Sequence, residues 1–394
     1  MRTQVAIIGA GPAGLTLSHL LHRAGIESVV LEARSRDHVE RRLRAGVLEH
    51  HTAALLRDTG VGDRMDREGM VHRGVNLRFE GRTHRIDLEG LSGGAAITVY
   101  GQQEVVKDLI AARLDAGGTV LFDVDDVSVH GVDTDAPRVR FTHEGVKNEL
   151  ACDVVAGCDG YHGVCRPAVP DGVLRSFERV YPFAWLGILA QAPPSSEELI
   201  YANHERGFAL HSMRSPSITR MYLQVEPDEE LDRWPDERIW SELQTRLATH
   251  PGEEWTLAEG PILERSITPM RGEVIEPMQY GRLYLAGDAA HIVPATGAKG
   301  LNLAVADVRV LAAGLQRFFA DGDTRLLADY SRICLQRVWR VQHFSWWMTT
   351  MMHRFAGDDA YSHRLQLSQL DYVTRSTAAA TTLAENYVGM PLTL

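Results

Sequence analysis

Gly9, Gly11 and Gly14, with Ala13 among them, stand between the apolar run at residues 4–8 and a stretch, 15–24, whose apolar residues recur at helical spacing. Residues 27–31 form a second strand-like run, and Glu32 closes it about 20 residues past the first glycine. Each part has a physical task. Gly9 permits a tight turn, Gly11 lets the backbone approach a pyrophosphate, and Gly14 packs the helix on the strand. The helix N-terminus offers amide donors and the positive end of its dipole, while Glu32 can accept ribose hydroxyls. The strand, turn, helix and acid fall in the order an adenine dinucleotide requires. The unit alone does not choose between FAD and a nicotinamide nucleotide.

Further residues bear on that choice. Cys158-Asp159-Gly160 follows a strand-like run, and Gly287-Asp288 ends the buried run at 283–285. A single Gly-Asp pair is usually a turn. A carboxylate at a strand end can also accept hydroxyls from a flexible ribityl chain, which FAD has and NAD lacks. Ser212 and Arg214 lie at i and i+2 of a strand-like run and so share a face, with Tyr222 in the next run. The planar fork of an arginine suits a carboxylate, which it meets with two hydrogen bonds. Lys299 on its own reads as a solvated lysine. Near the start of the helix expected at 297–319, it, Gly300 and the amides there would favour an anion. Cys152, Cys158, Cys165 and Cys334 show neither CxxC pairing nor zinc-like spacing with His, so neither a metal nor a disulfide is expected.

The elements that position these residues follow from pattern. The 394 residues, 44% hydrophobic and 24% charged, allow one large or two moderate domains with a substantial core. A net charge of -11 argues against nucleic acid as the main partner and makes any basic chemistry local. Met1 leads directly into a strand, and no apolar stretch is long enough for a bilayer, so no leader, no membrane and a cytoplasmic setting are expected. Helices are expected at 47–59, 104–115, 297–319 and 326–352, paired strands at 74–88, and strands at 119–124, 138–142, 154–156 and 283–285. Strand formers dominate 183–225, and the acidic stretch 226–237 reads as a solvated face. The expected class is α/β: a Rossmann-like nucleotide domain at 1–178, a mainly β substrate domain at 179–280 that borrows strands near 72–100, and a return to the nucleotide domain with C-terminal helices at 281–394.

In this order, the glycine turn, the central Asp-Gly and the late Gly-Asp resemble the flavin-dependent aromatic hydroxylases. Longer strings carry the resemblance across nearly the whole chain: Arg42-Leu-Arg-Ala-Gly-Val47, Thr98-Val-Tyr-Gly-Gln102, Phe177-Glu-Arg-Val-Tyr-Pro182, Leu199-Ile-Tyr-Ala-Asn203, Ala289-Ala-His-Ile-Val-Pro294, Thr296-Gly-Ala-Lys-Gly-Leu-Asn302, Phe344-Ser-Trp-Trp347 and Ala384-Glu-Asn-Tyr387. The resemblance implies FAD held by the glycine turn with Glu32, Arg42, Arg44, Ala45, Gly46, Val47, Gln102, Asp159, Asp288 and Lys299, and a helix start presented to the isoalloxazine by Leu301 and Asn302. It implies a substrate carboxylate clamped by Ser212, Met213 and Arg214 with Tyr222 beside them. Tyr201 would receive the phenol proton, Tyr387 would pass it on, and His72 would stand at the solvent end. Such groups suit the task, since a tyrosine hydroxyl donates and accepts at once and a histidine exchanges protons near neutral pH.

The resemblance also implies brief docking of NADPH or NADH near His162 and Arg271, with Arg220 near the flavin, and a homodimer. The implied reaction is hydroxylation of 4-hydroxybenzoate, or an acid like it, at C3 by O2 through a flavin C4a-hydroperoxide. Two departures stand out. Ala33 and His38 replace an arginine and a tyrosine of NADPH-specific members, although Arg34, Arg36, Arg41 and Arg42 could still meet a 2'-phosphate. Ala295 replaces a proline whose carbonyl contacts the substrate's 4-hydroxyl; alanine keeps the carbonyl and frees φ, which leaves 4-aminobenzoate as an alternative substrate. A flavin-bound sensor and a two-electron flavin dehydrogenase are rival readings. The retained Tyr201 and Tyr387 speak against the sensor, because a binder needs a clamp but hardly a proton path.

Overall fold

The apolar run at 4–8 becomes the strand Val5–Ile8, every residue of it buried, at the centre of a six-stranded sheet. A computed structural model of the chain describes residues 1–42, 46–253 and 255–392. Val5–Ile8 pairs in parallel with Ser28–Leu31 on one side and Val154–Gly157 on the other; Thr119–Leu121 and Leu283–Leu285 extend the parallel set, and Gln279–Tyr280 closes one edge antiparallel. Strands buried on both faces are the mark of such a sheet. The helix Pro12–Arg23 buries Leu15, Leu17 and Leu21 and packs against the helices Gln102–Asp115 and Gly300–Asp321. Each such leucine contributes about 1.5–3 kcal/mol on burial. Gly9 sits at φ 103, and a Cβ there would stand 2.3 Å from the Cys158 carbonyl oxygen, so only glycine lets the turn lie on the neighbouring strand.

The eight-stranded sheet runs in the order His291–Ile292, Ile262–Glu276, Arg175–Ala190, Ile218–Val225, Ala209–Ser215, Ile200–Ala202, Gly74–Phe79, Arg82–Asp87. All its pairings are antiparallel except that of Ile200–Ala202 with Gly74–Phe79. The paired strands expected at 74–88 thus join it from far away in sequence. A smaller sheet sets Ile97–Val99 between Val47–Leu48 and Met70–His72. The helices Tyr330–Met352, Ala360–Arg375 and Thr377–Val388 follow, and a second core containing Tyr201, Met213, Phe344 and Tyr387 lies between them and the eight-stranded sheet.

Several expected boundaries move. The helix expected from Val47 begins at His50, because Val47 and Leu48 pair with Val99 and Thr98 and the Tyr100 N–H donates to the Gly46 carbonyl. The helix expected from 297 begins at Gly300, since 295–297 form a 3-10 turn that ends on Ala298 at φ 53. The strand Arg175–Ala190 crosses the expected boundary at 179 without a break.

Burial of histidines has a consequence for acid stability. Desolvation pushes His72 and His211 down to about 4 and His353 to about 3. Each is held neutral in the fold but binds a proton in the unfolded chain below about 6.5, so its stabilising contribution is complete above that pH and drains away as pH falls toward the folded value. His291 shifts the opposite way and opposes them. The melting temperature is therefore expected to fall steeply between about pH 6.5 and about pH 4, each of these histidines adding a slope of up to about 1.4 kcal/mol per pH unit. A melting temperature flat across that interval would contradict their neutral state.

Candidate active site

Glu32 ends its strand with both carboxylate oxygens engaged: Oε2 accepts from the Ala10 N–H at 2.7 Å and Oε1 from the Arg34 N–H at 2.9 Å. These bonds aim the group across the glycine turn. A Cβ on Gly11 would meet nothing within 4 Å, so the turn faces open space there. Pro12 occupies the helix start and no side chain caps it, which leaves the first amides for a ligand. Gly287 brings the late turn to the same place. At φ 63, a Cβ on it would stand 3.4 Å from Ala13 Cβ and 3.2 Å from Ala304 Cβ. The glycine turn, the Gly287-Asp288 turn and the helix Gly300–Asp321 therefore converge, with Asp288 exposed at their junction. This cradle of open amides and carboxylates fits an FAD.

The other nucleotide residues fall into place unequally. Gly46 lies so close to Gly101 that a Cβ would reach its Cα at 2.8 Å, which brings Gly46 against the residue before the helix that starts at Gln102, while Val47 pairs with Val99. Arg42 is exposed; Arg44 and Ala45 lie outside the described residues. Asp159 departs from its expected place. Its Oδ2 accepts from the Cys165 N–H at 2.8 Å, and a Cβ on Gly163 would come within 2.1 Å of its carboxyl carbon, so the side chain is turned into its own loop. Lys299 is fully buried, not solvated: Nζ donates to Glu49 Oε1 and to the Tyr387 carbonyl, each at 2.8 Å, and Glu49 Oε2 pairs with Arg337 at 2.5 Å. Two cations on one carboxylate leave a positive balance behind the helix start. Asn302 donates to the Val47 carbonyl at 2.9 Å and accepts from the Glu49 N–H at 2.8 Å. Leu301 is half-buried beside it, and Gly300 faces open space.

Tyr201, Tyr222 and Ser212 share one face of the eight-stranded sheet, and Arg214, at a register shift between Met213 and Ser215, reaches back to Ser212. Tyr201 and Tyr222 both pair with Leu210, and Ser212 pairs with Arg220. Arg214 Nη1 donates to Ser212 Oγ at 3.1 Å and to the Met213 carbonyl at 2.8 Å, while Ser212 Oγ donates to the Arg220 carbonyl at 3.0 Å. No carboxylate among the described residues pairs with Arg214, so its charge is left for a ligand. Burial pushes its pKa down without threatening a guanidinium's charge. Met213 is buried beneath, and Tyr222 packs on Trp185 with ring centroids 4.8 Å apart. The Tyr201 and Tyr387 hydroxyls meet at 2.7 Å, both fully buried, and burial pushes both ionisations up.

Residues 2–345 match the family described as FAD binding domain. The chain is 49% identical over 391 residues to p-hydroxybenzoate hydroxylase of Acinetobacter baylyi, covering 99% of this chain and 96% of that protein. The chain belongs to the p-hydroxybenzoate hydroxylase family. It is an FAD-dependent aromatic hydroxylase. Among solved structures, p-nitrophenol 4-monooxygenase from Pseudomonas putida superposes with a TM-score of 0.81 at 19% identity over 99% of both chains. Aklavinone-11 hydroxylase, in a ternary complex with FAD and aklavinone, gives a TM-score of 0.73 at 21% identity over 89% of this chain and 69% of its own. These two share the fold.

Within this flavin hydroxylase, three expected neighbours are not assembled as the sequence suggested. His72 is buried rather than at a solvent end, and neither ring nitrogen has a hydrogen-bond partner among the described residues. Arg220 is paired with Glu264 at 3.2 Å and bonded to Ser266, so its guanidinium is already engaged. Ala295 is exposed; its carbonyl accepts from the Ala298 N–H at 2.9 Å and keeps a second lone pair. His162 and Arg271 do come together, through a residue the sequence did not flag. Arg271 lies 3.7 Å over the Tyr161 ring, His162 packs edge-on to it at 4.6 Å, and Arg166 lies 5.0 Å over it. Glu49 and Arg337 were missed as well, since each stands far from Lys299 in sequence and alone carries no motif.

Proposed function

We propose that this enzyme hydroxylates 4-hydroxybenzoate at C3, giving 3,4-dihydroxybenzoate, NAD(P)+ and water from the acid, NAD(P)H, a proton and O2. One observation carries the reading: an uncompensated Arg214, reaching back to Ser212, and a buried Tyr201–Tyr387 pair lie at one sheet face. Ser212 is two residues beyond the partner of Tyr201, about 7 Å along the strand. That separation suits the two ends of a para-substituted benzoate. FAD, when bound, supplies the two-electron chemistry, taking electrons from NAD(P)H and delivering one atom of O2 to the ring. Arg214 and Ser212 hold the carboxylate and fix the ring's orientation. Tyr201 takes a hydrogen bond from the phenol and relays its proton to Tyr387, raising electron density at the carbon ortho to the oxygen. His72, buried and with unpartnered ring nitrogens, would be the next proton carrier beyond Tyr387. The buried surroundings exclude bulk water from the reacting centre.

Lys299, Gly300 and the uncapped helix start would stabilise negative charge on the reduced cofactor. Tyr161, His162 and Arg271 form a cationic aromatic surface suited to brief docking of the reductant. A cytoplasmic homodimer is part of the same proposal. Separately, no helix among the described residues is long and apolar enough to cross a membrane.

The decisive experiment follows NADPH and then NADH consumption with 4-hydroxybenzoate, alongside product chromatography. Consumption matched by 3,4-dihydroxybenzoate is the expected result and identifies the reductant. Consumption that yields peroxide instead would sink the substrate assignment. It would favour the second reading, motivated by Ala295, in which 4-aminobenzoate is the substrate.

A further inference from the structure

Beneath the Gly287-Asp288 turn lies a buried histidine–aspartate pair that the proposed chemistry does not use. His291 Nε2 and Asp307 Oδ2 are 2.6 Å apart, with both side chains almost wholly buried. The same Asp307 oxygen accepts from the Gly287 N–H at 3.0 Å. Gly287 precedes Asp288 and His291 follows it by three residues, while Asp307 belongs to the helix Gly300–Asp321 whose start faces the cofactor cleft. One carboxylate oxygen therefore holds both sides of the turn that carries Asp288, and holds them to that helix. Arg166 secures the turn from outside, donating to the Asp288 and Ala289 carbonyls at 2.9 and 2.6 Å.

We propose that the His291–Asp307 pair is a positioning device that fixes Asp288 for the ribityl hydroxyls of FAD and couples that contact to the helix start. The inference rests on Asp288 as an FAD ligand. Burial disfavours a charged His291, but the Asp307 charge and hydrogen bond outweigh it and hold the imidazole pKa above its ordinary value. The surrounding groups cannot substitute. Burial pushes the Cys158, Cys334 and Tyr330 ionisations up, so these neighbours stay neutral. Tyr330 spends its hydroxyl on the Leu285 carbonyl at 2.7 Å. Without Asp307 as acceptor, the Gly287 N–H is left unpaired in the interior and the turn is free to shift.

The test is binding of FAD and of ADP to apoprotein, by calorimetry, for wild type and for Asp307→Asn, His291→Phe and Asp288→Ala. ADP lacks the ribityl chain and reports the glycine turn and Glu32 alone. Asp307→Asn and His291→Phe are expected to weaken FAD by about 10–100-fold, the worth of a hydrogen bond to a charged group, and to leave ADP affinity unchanged. Equal loss of FAD and ADP affinity would mean general damage to the fold and would overturn the proposal. So would unchanged FAD affinity in both variants while Asp288→Ala weakens it. If Asp288→Ala itself leaves FAD affinity intact, the assignment of Asp288 fails and the positioning role fails with it.

Discussion

Replacing Tyr201 with phenylalanine is expected to slow hydroxylation of 4-hydroxybenzoate by about 10²–10⁴-fold, the usual contribution of a positioned proton-transfer group, with little change in substrate affinity. Burial is the cause. Tyr201 and Tyr387 sit in the apolar core between the eight-stranded sheet and the C-terminal helices, and among the described residues their 2.7 Å contact is the only hydrogen bond that the Tyr201 hydroxyl makes. A phenol bound there cannot lose its proton to bulk water. Phenylalanine fills the same volume but neither accepts nor relays. Tyr387→Phe breaks the next link and should give a similar loss. Raising the pH until the phenol ionises in solution should restore much of the rate in both variants, because the substrate then enters already deprotonated. A Tyr201→Phe enzyme that stays slow at alkaline pH would point to a packing defect instead of a lost proton path.

What could be read from the sequence was what is local in it. The strand, glycine turn, helix and acid at 5–32 follow one another without interruption, and every step is a rule about near neighbours. The strand Leu283–Leu285 and the pair Gly74–Phe79 with Arg82–Asp87 were legible for the same reason. Val47 was misread because its partner is Val99; nothing beside it announces that pairing, and a short apolar stretch fits a helix equally well. The site divides in the same way. Ser212 and Arg214 were paired by their spacing, and although a register shift at Arg214 interrupts the strand, its side chain still reaches Ser212; Tyr201 and Tyr387 are 186 residues apart and were joined only through resemblance. Lys299 looked like a surface lysine because its partner, Glu49, lies 250 residues away. Buried charge pairs of this kind are invisible to pattern, since each member alone obeys the statistics of exposed residues.

Arg214→Gln is expected to raise the dissociation constant for 4-hydroxybenzoate by about 30-fold to several thousand-fold, the range for truncating one partner of a desolvated charge pair at about 2–5 kcal/mol. Arg214 is held by Ser212 Oγ and the Met213 carbonyl, neither of which carries a charge. Among the described residues no carboxylate pairs with it, so an arriving anion would balance its charge. The neighbouring Arg220 cannot take over, because Glu264 and Ser266 already engage its guanidinium. Glutamine keeps some hydrogen bonding but loses both the charge and the fork that meets a carboxylate at two points. Binding of 4-methylphenol, which has the phenol but no carboxylate, should be unaffected by the substitution, and direct titration of both ligands separates the cases. Equal weakening of the two would mean that Arg214 shapes the pocket without recognising the acid. Loss confined to 4-hydroxybenzoate would establish that the sheet face reads the carboxylate end, leaving Tyr201 to read the other.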